Sequence, residues 1–207
     1  MKASGRLALS ILLLAATAAQ PLVAFDYPLS SEAIREAYFL GTANSDKRQA
    51  FFEKYRHNLP VPKSGADVAL IEVETPFVCV VDAIAQAPMN YFAQEAEQDY
   101  LGKPGKFRVH VEIYFTPTYP KPDDTAVTLG DFWRDFKIHL KQDAEIPPLS
   151  VHGQPIYSED TISGYIGATI DVEYNVKKID AGGFTTVEVD TPDGQQVETT
   201  FQLNNLR

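Results

Sequence analysis

The side chains of this protein with the widest chemical reach are four histidines, one cysteine and 28 carboxylates. None of His57, His110, His139 and His152 stands in an H-E-x-x-H arrangement or beside a G-x-S-x-G nucleophile, so neither a zinc-protease helix nor a hydrolase elbow is written in the sequence. His110 and Glu112 lie two residues apart in an alternating stretch; on a strand both project from one face, where they could ligate one cation. His139, with Asp135 on the matching face of the next alternating stretch, would complete that site if the two strands were neighbours. The solvent side of any sheet carries polar residues at this spacing, so the expectation is a solvated strand face and no metal.

Acidic pairs invite two further chemistries, calcium binding and acid–base hydrolysis. Asp123-Asp124, Glu159-Asp160 and Asp190 with Asp193 are the clusters, yet none follows the D-x-[DN]-x-[DN]-G spacing that wraps a cation in oxygen. They read as turns, and Asp193-Gly194 has the residues a hairpin turn demands. A glycosidase needs two carboxylates facing each other across a cleft, a relation that linear sequence does not display for residues on separate strands. Cys79 stands between Val78 and Val80, where desolvation disfavours a thiolate, and is expected to act as a small buried hydrophobe. A single thiol also excludes an intramolecular disulfide, a cysteine zinc cage and a CxxC redox pair. No glycine cluster opens a helix with the spacing of a phosphate cradle, so no nucleotide or other cofactor is expected.

One set of residues departs from a plain amphipathic reading. If the alternation of three strands is continued, Tyr114, Trp133 and Tyr165 project on the side opposite the aliphatic residues, among charged neighbours. An aromatic platform of that kind suits stacking against sugar rings or a peptide, which makes these three the expected ligand-binding residues. The competing explanation is that N-terminal helices, which need a surface for Phe51, Phe52 and Tyr55, cover the rings and make a second small core.

The elements that would position these residues follow from periodicity and punctuation. Ser30 or Ser31 caps a helix carrying Ile34 and Tyr38 and ending at Gly41; a second helix starts at Ser45 or Asp46, carries Phe51, Phe52 and Tyr55, and stops before Pro60, the two forming a helical hairpin. Ala66 to Val73 has the blurred alternation of a strand buried on both faces, and Thr75-Pro76 opens a helix with Phe77, Val80, Val81 and Ile84 at helical spacing. A further helix spans Asn90 to Leu101, with Gly102 as its stop. From Lys106 the period becomes two: Phe107 to Phe115, Phe132 to Lys141 and Ile166 to Val176 read as strands. Gln142 to Ser163, with three prolines, reads as a long loop with at most a short edge strand near Ile156. Thr185–Val189 and Val197–Leu203 flank Thr191-Pro192-Asp193-Gly194 as a hairpin. The fold class expected is α+β, with N-terminal helices packed on a C-terminal antiparallel β-sandwich or curled sheet. Residues 25–207 form a single composite domain, mostly helical with one strand over 25–102 and β-rich over 103–207.

Composition sets the outer limits. At 207 residues, 44% hydrophobic and 11% aromatic, the chain has what a packed core requires. Residues 1–18 read as a signal peptide: Lys2 and Arg6 give the positive end, Leu7 to Ala19 an uncharged run of 13 residues, and Ala16-Thr17-Ala18 the cleavage pattern. That run falls short of the ~20 residues a membrane span needs, so no membrane insertion is expected after cleavage. Loss of Lys2 and Arg6 from 18 basic residues, against 28 acidic ones, takes the net charge from −10 to −12. Nucleic acid is thereby disfavoured as a partner. The expectation is an exported, periplasmic or extracellular, non-catalytic protein acting as a binding or accessory module for a saccharide or peptide. The alternative is a metal-independent hydrolase whose site is assembled from scattered carboxylates.

Overall fold

The computed structural model describes residues 25–103, 105–119, 131–158 and 164–207. Residues 1–18, expected to be a signal peptide, and the pairs Asp123-Asp124 and Glu159-Asp160 lie outside the described residues. The fold is α+β, with four α-helices and two antiparallel sheets of five and four strands. Among the described residues no helix is long and apolar enough to cross a membrane.

Helix α1 (Ser31–Gly41) is capped by the Ser30 hydroxyl, which accepts from the Ala33 amide. Helix α2 (Ser45–Phe52) is capped in the same way by Asn44. α1 touches α2 but packs chiefly on α3 (Pro76–Ala85), so closely that a Cβ on Gly41 would stand 2.7 Å from Ile84 Cγ2. Helix α2 does not continue to Pro60. Tyr55 turns its ring fully into the core, and the chain unwinds there into β1 (Arg56–Asn58). Thr75 caps α3 as its Thr-Pro signature requires, and α4 (Ala93–Gly102) starts where Glu95 accepts the Phe92 amide. Ile34, Ala37, Phe77, Val81, Ile84, Ala96 and Tyr100 close a small helical core between α1, α3 and α4.

The five-stranded sheet runs β1, β2 (Asp67–Glu74), β3 (Phe107–Tyr114), β7 (Tyr165–Tyr174), β6 (Pro148–Tyr157). The four-stranded sheet runs β5 (Glu145–Ile146), β4 (Lys137–Lys141), β8 (Phe184–Asp190), β9 (Gln196–Gln202). Inner residues of both sheets, among them Ile71, Val109, Ile170, Leu140, Val187 and Phe201, share one core. The alternation read for β3 and most of β7 holds, as do β2, buried on nearly all of both faces, and the β8–β9 hairpin, where Gly194 takes φ +83° at the tip.

Two strand assignments are corrected. Phe132–Asp135 is a short 3₁₀ turn and only Lys137–Lys141 is strand; Phe132, Trp133 and Phe136 all turn inward, which a strict alternation cannot do. The segment read as loop contains the ten-residue strand β6, paired with β7 along its whole length. Its prolines are tolerated because β6 is an edge strand, which needs ladder donors on one side only.

Candidate functional site

The two sheets share one face with the core and turn the other outward, and the outward face of the five-stranded sheet gathers the densest set of charges. Antiparallel register places Arg56 across from Glu72, Glu72 across from His110, His110 across from Asp171, and Asp171 across from His152. One row thus crosses all five strands. A second row sets Glu74 beside Arg108 and Arg108 beside Glu173. Contacts follow the rows: Arg56 to Glu72 at 3.0 Å, His110 Nδ1 to Asp171 at 2.7 Å, and Arg108 Nε to Glu74 at 2.9 Å. Arg108 also reaches Asp82 of α3 at 3.2 Å. All of these except His152 and Glu173, together with Phe52, Leu70 and Thr169, line a cleft of about 460 Å³.

Burial sets the electrostatics. Glu72 and Glu74 are each 6% exposed, because α3 and Phe52 lie over this part of β2. Desolvation pushes the Glu72 carboxyl up to about 7 against the pull of Arg56, and raises Glu74 against that of Arg108. Burial disfavours the charge on His110, but the hydrogen bond to Asp171 and the nearby Glu112 carboxylate outweigh it and carry the imidazole up to about 10. The neighbouring His110 holds Glu112 below the usual carboxylate range, and its hydrogen bond to Asp171 overcomes burial to lower that carboxyl too. The floor alternates cations with carboxyl groups from strand to strand, with the Glu72 carboxyl only partly ionised at neutral pH. Cys79 is partly buried, and desolvation raises its thiol well above the ordinary value, with Sγ 3.7 Å from Glu74 Oε2.

The metal candidates His110, Glu112, Asp135 and His139 are not brought together. His110 and Glu112 do share a face, with His110 Nε2 3.7 Å from Glu112, but His139 lies on β4 of the other sheet and Asp135 in the 3₁₀ turn. The second alternating stretch does not pair with β3; β2 and β7 flank that strand.

The aromatic residues likewise separate. Tyr114 is half-buried on the polar face of β3 and donates its hydroxyl to Glu112 at 3.1 Å. Trp133 and Tyr165 are 8% exposed in the core between the sheets. Trp133 lies flat against β6, where a Cβ on Gly153 would come within 2.1 Å of the indole. Tyr165 turns inward because the pairing of β6 with β7 slips at its end: Ile156 pairs with Gly167 and Tyr157 with Tyr165, which leaves Ile166 as an extra residue pointing outward. Such a bulge reverses the parity of everything before it. The rings are covered by β6, Phe115 and Phe132, not by the N-terminal helices.

Of the cleft residues, the sequence pattern singles out His110 and Glu112, with Tyr114 beside the cleft through its bond to Glu112, and misses Arg56, Glu72, Glu74, Arg108 and Asp171. A signal existed in β2: glutamates in a strand buried on both faces are rarely unpaired. No family model matches this chain, and no curated protein does.

Proposed function

We propose that this chain is an exported, non-catalytic binding or accessory module of the periplasm or extracellular space, and that the cleft on the five-stranded sheet holds a saccharide or an extended peptide. The observation that carries the reading is the alternation of cation and carboxylate along the cleft floor. Sugar hydroxyls and peptide units donate and accept hydrogen bonds in equal measure, and fixed donors beside fixed acceptors match them without requiring a charged ligand. The same pairing weighs against catalysis, since Glu72, Glu74, Asp171 and Glu112 are each within reach of a cation. Export rests on the N-terminal pattern. A thermal-shift panel of neutral hexasaccharides and unblocked hexapeptides tests the binding reading. At least one member should raise Tm in the native protein and leave His110→Gln unshifted. A panel with no response, or a shift that survives in His110→Gln, overturns it.

The hydrolase reading is favoured by one observation, the separation of Glu72, pushed up to about 7, from Glu112, held low. Split carboxylates are the pattern of a general acid beside a base or nucleophile. Hydrolysis of a panel member with a pH–rate limb near 7 that disappears in Glu72→Gln would establish this reading in place of the first.

A further inference from the structure

The outward face of the four-stranded sheet carries a second polar set, on the far side of the shared core from the cleft. His139 on β4 stands directly across from Glu188 on β8, and Asp190 is the next residue of β8 on that face. The imidazole is held in orientation: Nδ1 lies 2.8 Å from Glu145, and Nε2 faces Asp190 at 3.4 Å. With Nδ1–H donated to a carboxylate, the lone pair of Nε2 points away from it, which is how proteins orient histidine ligands toward metals. Backbone register adds an observation that no rotamer alters. It sets Glu188 directly opposite Glu198 on β9, a like-charge pair that repels unless a cation stands by. Lys141 answers this in part, holding Glu188 Oε1 at 2.7 Å and leaving the second oxygen of that carboxylate to another cation.

We propose that His139, Glu188 and Asp190 bind a divalent transition-metal ion, with Glu145 as the positioning residue behind the imidazole. One ligand atom from each of the three lies within 4.8 Å of the other two. Tetrahedral zinc with bonds of ~2.1 Å needs donors ~3.4 Å apart, a closure that rotation of the Asp190 side chain, 43% exposed, supplies. One imidazole and two carboxylates fit Zn²⁺; Ca²⁺ takes six or more oxygens and Mg²⁺ a near-octahedral oxygen shell. Water completes the fourth position.

The test is a titration of the untagged, chelator-treated protein with Zn²⁺ against a chromophoric competitor, with Co²⁺ absorption as a second readout of coordination. One equivalent should bind. His139→Gln and Asp190→Asn should each weaken binding at least tenfold, and Glu145→Gln, which touches no metal, by 10- to 100-fold. Asp190→Asn changes an exposed side chain and keeps the fold, so its result does not depend on the stability of the histidine variant. His110→Gln and His152→Gln should leave binding unchanged. The site is refuted if no equivalent binds, if His139→Gln binds as the native protein does, if His110→Gln removes binding, or if Ca²⁺ binds in preference to Zn²⁺.

Discussion

On the five-stranded sheet, sign alternates from strand to strand through Arg56, Glu72, His110 and Asp171, whereas on the four-stranded sheet Glu188 has His139 on one side and Glu198 on the other. Both faces use the same residue types at the same period of two. What separates them is register, which decides whether a carboxylate meets a cation or another carboxylate. The first face compensates its own charge and can bury glutamates; the second keeps an excess of negative charge and is open to an added cation. Neither face holds its register without the core between the sheets, so the largest effects come from substitutions inside it.

Val172 is fully buried beneath the row that carries Asp171. Val172→Asp places a carboxylate in the apolar layer at a cost of several kcal/mol, on the order of the whole stability of a domain this size. Urea denaturation should find the variant largely unfolded without denaturant. Trp133→Ala comes next, at about 3–5 kcal/mol through the cavity left against Gly153. Trp133→Phe should cost less, since the indole Nε1 has no acceptor among the described residues and its loss leaves no partner stranded. Trp133 is the one tryptophan of the chain, so its fluorescence reports this site directly: emission should be blue-shifted and poorly quenched by acrylamide. An accessible indole would contradict the packing between the sheets and restore the aromatic platform.

The limits of the sequence can be located in these residues. Phe107 to Tyr114 is legible because one face is core and the other is polar along the whole of β3. β6 is not, because its prolines speak against a strand and only its place at a sheet edge makes them tolerable. Parity counting places Trp133 and Tyr165 outward, and it fails at a 3₁₀ turn in one case and at a bulge in the other, both features of pairing rather than of local pattern. The candidate site is legible only in part, as His110 and Glu112 on one strand. That Glu72 and Asp171 flank His110 is a long-range register, set by the turns and core contacts of the entire sheet.

A smaller effect is expected within the charge row itself. His110→Gln removes a cation between Glu72 and Asp171 and should cost roughly 1.5–3 kcal/mol, the range for hydrogen bonds to charged groups. The pH dependence carries the same signature. With its folded value raised to about 10 from an ordinary 6.5, His110 contributes stability that is complete below about pH 6.5 and is lost as pH rises through 10. Glu72, raised to about 7 from 4.5, binds its proton more tightly in the folded state, so stability falls as pH rises from about 4.5 to 7. Tm should therefore be higher at pH 5 than at pH 9. Glu72→Gln should flatten the lower part of that decline and His110→Gln the upper part. A Tm that rises from pH 5 to pH 9 in the native protein would contradict the burial of both groups.

The smallest effect has the opposite sign and comes from the other face. Glu198 is exposed, and the buried Glu188 directly across from it has one lysine partner among the described residues, Lys141, while β9 carries no cation. Glu198→Lys replaces a repulsive cross-strand pair by an attractive one and should stabilise the protein by about 0.2–1 kcal/mol. The gain should shrink at high salt, as expected for a solvent-facing pair. It should also shrink in the presence of Zn²⁺, because a metal held by His139, Glu188 and Asp190 would already have relieved the repulsion that the lysine relieves. Thermal denaturation of both proteins, with zinc and with chelator, measures the two effects as a cycle. Equal gains in the two conditions would mean that Glu188 and the metal do not meet, and that this face is an ordinary solvated one after all.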